Sequence, residues 1–138
     1  MKIIKSWNII ILFLIFLIAL ITKILSVDEL FTSVAYSNLV RTDYVKGFSY
    51  MIIVAEFVVS VSLLFERLRK FGLMLVLILA CLFFSYSFWR LINRIPVPCS
   101  CFGAMFKASP VTMMIINIGI CLLAVKAIVR IDRQKGVL

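Results

Sequence analysis

Apolar residues fall into four long blocks separated by shorter polar stretches. The blocks cover roughly residues 3–25, 48–64, 71–91 and 110–127. They are nearly continuous, and a helix rising about 1.5 Å per residue can cross a hydrocarbon core of roughly 30 Å with such a block. The pattern predicts an all-α integral membrane protein in which residues 1–138 form a single four-helix bundle.

The first block has two lysines at its start, Lys2 and Lys5, as in a signal peptide. It is longer than the apolar core of most signal peptides, and no A-x-A-like cleavage site follows it. We therefore expect residues 3–25 to be retained as the first span.

The overall composition agrees with a membrane protein and removes several kinds of chemistry. Of the 138 residues, 64% are hydrophobic and 15% are charged, whereas about a quarter are charged in a typical soluble domain. The chain contains no histidine. Haem or zinc sites with histidine ligands, and Ser-His or Cys-His catalytic pairs, are therefore excluded.

The basic residues predict the orientation of the spans. The chain has 15 Lys and Arg against 6 Asp and Glu, and no basic stretch is interleaved with exposed aromatics as in a nucleic-acid site. Nine cations fall at one end of the predicted bundle: Lys2, Lys5, Arg67, Arg69, Lys70, Lys126, Arg130, Arg133 and Lys135. Six fall at the other: Lys23, Arg41, Lys46, Arg90, Arg94 and Lys107. The positive-inside rule then predicts that both termini are cytoplasmic in a bacterial inner membrane.

This orientation places the segment between the third and fourth spans on the periplasmic side, where thiols are oxidised. The segment contains "VPCSCFG", with Cys99 and Cys101 one residue apart. Pro96 and Pro98 keep the chain extended before the pair, and Gly103 gives it freedom afterwards. A disulfide between residues i and i+2 closes a small, strained ring and is easily reduced. The spacing favours a pair that exchanges disulfides over a structural one.

Two other interpretations of Cys99 and Cys101 remain open. With Met105 they offer thiolate and thioether ligands, which suit a soft ion such as Cu(I). Alternatively, the two thiols have no chemical role.

Cys81 and Cys121 lie inside the third and fourth predicted spans, both roughly 15 Å below the periplasmic surface. They would meet if these spans pack together, although a buried cysteine is more often a small apolar packing residue. Both lie too deep to exchange electrons directly with Cys99 and Cys101.

Several polar residues stand inside or at the edge of the apolar blocks. Glu56 is in the middle of the second span, where a charge costs about 2.5–3.5 kcal/mol, so it should face the interior and find a partner or stay protonated. It is either a proton-handling or quinone-contacting group or a helix-packing hydrogen bond. Arg90 and Arg94 are either interfacial anchors or cations that lower the pKa of a nearby thiol. Gly119 is expected to allow close approach of a neighbouring helix.

The four spans, Glu56 and the motif Cys99-Ser100-Cys101-Phe102-Gly103 together resemble the MauE branch of the DoxX-like membrane proteins. The resemblance implies a redox-associated inner-membrane protein that supports disulfide formation or thiol maturation in exported partners, often beside thioredoxin-like proteins. It also implies that Cys99 and Cys101 form the reactive site, with Phe102 and Gly103 as part of the motif.

A more distant similarity is to quinone-linked, disulfide-generating membrane enzymes such as DsbB and the vitamin K epoxide reductases, which relay electrons between two cysteine pairs. This chain has one such pair in a loop and no cysteine in residues 26–47, its first outer loop. A partner protein or a membrane quinone is therefore expected to complete the electron path.

Three functions follow as hypotheses. The favoured one is a thiol–disulfide oxidoreductase, or the membrane half of one, whose Cys99 and Cys101 exchange with a periplasmic thioredoxin-like or other cysteine-containing exported protein. The second is a non-enzymatic scaffold subunit of a larger membrane complex, docked through residues 26–47. The third is a copper-handling protein.

Overall fold

The computed structural model describes residues 7–95 and 109–136. All regular structure in these ranges is helical, which confirms the predicted fold class. The elements are α1 (Trp7–Leu25), α2 (Val27–Tyr36), a 3₁₀ turn (Thr42–Tyr44), α3 (Val45–Leu64), α4 (Arg69–Ile92) and α5 (Pro110–Gly136). Helices α1, α3, α4 and α5 are each long and apolar enough to cross a membrane.

Two features differ from the sequence pattern. Helix α5 continues past residue 127 to Gly136, because the charged residues that end the apolar block do not break a helix. Helix α2 lies within the predicted first outer loop. Asp28 and Glu29 occupy its first turn, where acidic side chains are favoured by the helix dipole. It is followed by Asn38 at φ 53°, a left-handed conformation that asparagine tolerates.

The four spanning helices pack around a shared apolar core. The most extensive contact is between α4 and α5, and α3 packs against both α1 and α4. Core residues come from all four spans and include Leu12, Val59, Leu73, Val76 and Ala124. Only 28–39% of each spanning window is buried. Many large apolar side chains of all four spans are exposed, as expected for helices that face lipid.

Helices α3 and α4 approach each other closely just beyond the short turn between them. A Cβ placed on Gly72 would lie 2.9 Å from Ser62 Cβ and 3.2 Å from the Ser62 carbonyl carbon. The close approach expected at Gly119 is wrong, because no described atom of another helix lies within 4 Å of a Cβ built there. A glycine in a helix does not reveal by itself whether it faces a neighbour.

At the same end of the bundle, Lys70 Nζ donates a hydrogen bond to Asp132 Oδ1 over 2.8 Å. Both side chains are half exposed, so the pair contributes little stability. The contact shows which residues of the antiparallel helices α4 and α5 lie at the same level.

Helix α2 packs at the opposite end, where α4 ends and α5 begins. Its Leu30 and Val34 bury against Val45 of α3. Two side chains of α4 donate to its backbone: Tyr86 Oη to the Ser33 carbonyl at 3.1 Å, and Trp89 Nε1 to the Ser37 carbonyl at 3.3 Å. This end of the bundle is therefore covered by a short amphipathic helix tied to α3 and α4.

The close approach at Gly72 predicts that replacing this glycine by alanine lowers the stability of the protein. In Gly72→Ala the new methyl meets α3 backbone that cannot move alone, and overpacking of this kind costs about 1–3 kcal/mol. Gly119→Ala is the matched control, where the methyl meets open space and helix propensity should make the change neutral or stabilising. Thermal unfolding in detergent should show a lower midpoint for Gly72→Ala alone. Equal midpoints for the two variants would contradict the close approach.

Candidate functional site

The residues of the predicted thiol site lie outside the described residues. These are Cys99, Cys101, Phe102, Gly103 and Met105. The structure does describe both flanks of the segment that carries them, the end of α4 at Ile92 and the start of α5 at Pro110. The role of these five residues stays a prediction.

The flank on the α4 side is a sharp helix stop. The Arg94 N–H donates to the Leu91 carbonyl at 3.4 Å, and the Ile95 N–H to the Arg90 carbonyl at 3.3 Å. This is the Schellman pattern, whose left-handed position is usually glycine. Here that position is Arg94, at φ 47°. Arg94 thus turns the chain away from the helix axis, and its side chain is exposed.

The most deeply buried charges of the bundle form an ion pair between α1 and α3. Lys23 Nζ donates to Glu56 Oε1, and the two side chains are 1% and 0% exposed. The ammonium also lies 4.8 Å from the ring centroid of Phe83 in α4, in a cation–π contact. Three of the four spans therefore meet at this pair.

Side-chain direction explains how Lys23, in the last turn of α1, reaches Glu56 near the middle of α3. Side chains lean toward the N-terminus of their own helix. In the antiparallel pair α1 and α3, Lys23 therefore leans into the bundle and Glu56 leans toward the α2 end. The prediction that Lys23 is a surface charge is wrong, because its side chain is buried. The missed signal is that both charges lie inside predicted apolar blocks, where each needs the other.

Only one of the two carboxylate oxygens of Glu56 has a hydrogen-bond partner among the described residues. Ser60, one turn beyond Glu56, donates to the backbone carbonyl of Glu56 at 3.0 Å and not to its side chain. Glu56 Oε2 has no hydrogen-bond partner among the described residues. The carboxylate therefore presents one buried acceptor to the interior in addition to the ion pair.

Arg90 has a structural contact that neither sequence interpretation anticipated. It is 1% exposed, its Nη1 donates to Ser33 Oγ at 2.9 Å, and its guanidinium lies 5.6 Å from the ring centroid of Tyr86. Arg90 therefore holds α2 against α4 from within the bundle.

Two further buried polar side chains lie in this half of the bundle. Ser87 Oγ and both polar atoms of the Asn117 side chain have no hydrogen-bond partner among the described residues. The Lys70–Asp132 contact shows that these two residues lie at the same level. Ser85 is fifteen residues after Lys70 and Asn117 is fifteen residues before Asp132, so Ser85 and Asn117 are also level in the antiparallel helices. Asn117 thus lies within about one turn of the height of Ser87. Together with Glu56, three spans contribute unsatisfied polar atoms to the interior.

The thiols of Cys81 and Cys121 contact each other across α4 and α5, as expected if these spans pack together. Both are free cysteines, Cys81 exposed and Cys121 half-buried. No group of three or more His, Cys, Asp or Glu side chains that could hold a metal ion occurs in residues 7–95 and 109–136.

Comparison with known proteins identifies the family. The family model described as "Methylamine utilisation protein MauE" matches residues 1–130. The chain belongs to the MauE family. The matched range includes Glu56 and the "CSCFG" motif. No match was found among curated proteins or among solved structures.

The buried ion pair of this MauE-family protein predicts strong coupling between its partners. Lys23→Met leaves an unpaired carboxylate and should cost about 3–5 kcal/mol, whereas replacing both charges by apolar residues should recover much of that loss. The measurement is a double-mutant cycle of thermal stability with Lys23→Met, Glu56→Leu and the double variant. Additive effects would contradict a direct interaction.

The buried side chain of Asn117 is expected to contribute nothing to the stability of the fold. Its buried amide makes no hydrogen bond to a described residue, so Asn117→Leu should be neutral or stabilising in thermal unfolding. Ile120→Ala, also buried on the inner face of α5, is the control for core damage and should destabilise by about 2–5 kcal/mol. A clear loss of stability in Asn117→Leu would show that its amide is satisfied in the folded protein.

Proposed function

We propose that this protein is a membrane thiol–disulfide oxidoreductase, or the membrane half of one, acting through Cys99 and Cys101. The observation that carries the proposal is the C-x-C-F-G motif in the segment joining α4 to α5, within a chain that belongs to the MauE family over residues 1–130. The proposed partner is a periplasmic thioredoxin-like or other cysteine-containing exported protein.

The proposed location is a bacterial inner membrane, with both termini cytoplasmic and the C-x-C segment periplasmic. Burial of charge supports this orientation. Lys23 and Arg90 are each 1% exposed, so they are interior cations and do not count as surface charges. Four of the six periplasmic cations then remain against nine at the cytoplasmic end, and the positive-inside rule applies more strongly.

The proposed reaction passes a disulfide to the partner. A partner thiolate attacks the Cys99–Cys101 disulfide, a mixed disulfide forms, and the other cysteine leaves as a thiolate. A second partner thiolate then breaks the mixed disulfide. The partner ends oxidised, Cys99 and Cys101 end as thiols, and a membrane quinone is the proposed acceptor that reoxidises them.

The covered end of the bundle supports a partner site. Helix α2 packs at the end of the bundle where α4 ends before the C-x-C segment and α5 begins after it. Asp28 and Glu29 in its first turn are exposed, and Arg90 anchors the helix from below. Asp28 and Glu29 therefore offer a partner two acidic side chains on a fixed surface at this end of the bundle.

Trapping tests this function. A single-cysteine variant cannot form the Cys99–Cys101 disulfide, but its remaining thiolate can attack the disulfide of the oxidised partner, which is the reverse of the exchange. No neighbouring thiol is left to resolve the mixed disulfide, so either Cys99→Ser or Cys101→Ser should accumulate a partner adduct in membranes. The adduct is read on non-reducing gels and by mass spectrometry after quenching with an alkylating agent. As a control, Cys81→Ser is added to each of these variants. It removes a thiol about 16 Å from the end of α4, so the amount of adduct should not change.

Absence of an adduct from both variants would contradict disulfide exchange. If the double serine variant also supports full function in cells, the protein acts as a scaffold. Stoichiometric copper in protein purified under reducing conditions, lost in Cys99→Ser, would favour metal handling instead.

A further inference from the structure

Cys81 and Cys121 form a second pair of thiols, inside the membrane-spanning part of the protein. Besides the contact between their side chains, the helix register brings them together independently. Cys81 is eleven residues after Lys70, and Cys121 is eleven residues before Asp132. Eleven residues make about three full turns. The two thiols therefore lie level with each other on the same seam between α4 and α5 as the Lys70–Asp132 contact.

This seam faces the surrounding bilayer. Cys81 is exposed and lines a groove with Leu77, Ile78, Leu82 and Ser85. Each cysteine lies eleven residues from the end of its helix next to the C-x-C segment, which is about 16 Å. A water-soluble protein cannot bring a disulfide to that depth. A reagent dissolved in the lipid can reach Cys81 without crossing the bundle.

The cost of charge in hydrocarbon favours a quinone over a metal ion as the reagent that reacts with Cys81 and Cys121. Binding a soft metal ion requires thiolates, and a charged complex in hydrocarbon is costly. Among the described residues, no third His, Cys, Asp or Glu side chain joins the pair as a ligand. Oxidation by a quinone starts from neutral thiols and a neutral quinone and ends with a neutral disulfide and a neutral quinol. No charge remains in the low-dielectric region after the reaction.

We propose that Cys81 and Cys121 are an intramembrane redox pair that a lipid-dissolved quinone oxidises from the bilayer side. Both S–H bonds break and one S–S bond forms between Cys81 and Cys121. The two electrons and two protons pass to the quinone oxygens and give the quinol. The step needs neither Cys99 nor Cys101, so it stands independently of the function proposed above.

The test uses the full chain with Cys99→Ser and Cys101→Ser, so that the C-x-C thiols do not contribute. The protein is reduced, reconstituted in lipid nanodiscs without oxygen, and mixed with a short-chain ubiquinone. We expect one quinol per protein by ultraviolet absorbance and a Cys81–Cys121 cross-linked peptide by mass spectrometry. Adding Cys81→Ser should abolish both signals.

A matched control moves one thiol out of register. In Cys121→Ser with Leu122→Cys the second thiol still faces lipid, because Leu122 is 66% exposed, but it points about 100° away from the seam. This variant should form no quinol. Equal quinol formation in the control would overturn the proposal, as would a disulfide that forms with diamide or with oxygen but not with the quinone.

Discussion

The buried ion pair between Lys23 and Glu56 is the interaction on which the arrangement of the spans depends. In hydrocarbon neither charge finds water, so separating the pair leaves two unsolvated ions. The pair joins α1 to α3, and its ammonium lies against Phe83 of α4. A nonspecific apolar contact tolerates rotation of a helix about its axis, but this contact does not. It therefore fixes which face of each of these three helices points inward.

The inward face of α4 then determines the position of the chemically important residues. Arg90 is seven residues beyond Phe83, close to two full turns, so it shares the inner face and contacts α2 there. Cys81 is two residues before Phe83, about 200° around the helix, and so must face away from the core. One buried pair thus accounts both for the attachment of α2 and for a lipid-facing thiol.

Most of the fold could be predicted because apolar blocks long enough to span a bilayer have few alternatives. Helix α2 was missed because ten residues with mixed polarity give a weak signal, and its helix is stabilised by contacts with α3 and α4. The partner of Glu56 and the close approach at Gly72 were missed for a common reason. Both depend on the rotation of helices relative to one another, which hydropathy does not report.

The packing of α4 against α5 places Cys81 and Cys121 between the two helices that flank the C-x-C segment. These two helices lie on either side of the C-x-C segment and share the most extensive contact in the bundle. The Cys81–Cys121 contact lies within that seam, three turns from the Lys70–Asp132 contact. A disulfide between Cys81 and Cys121 would be a covalent bond, so α4 and α5 could no longer slide past each other at this point. The separation between the end of α4 at Ile92 and the start of α5 at Pro110, which the C-x-C segment has to bridge, would then be more narrowly fixed.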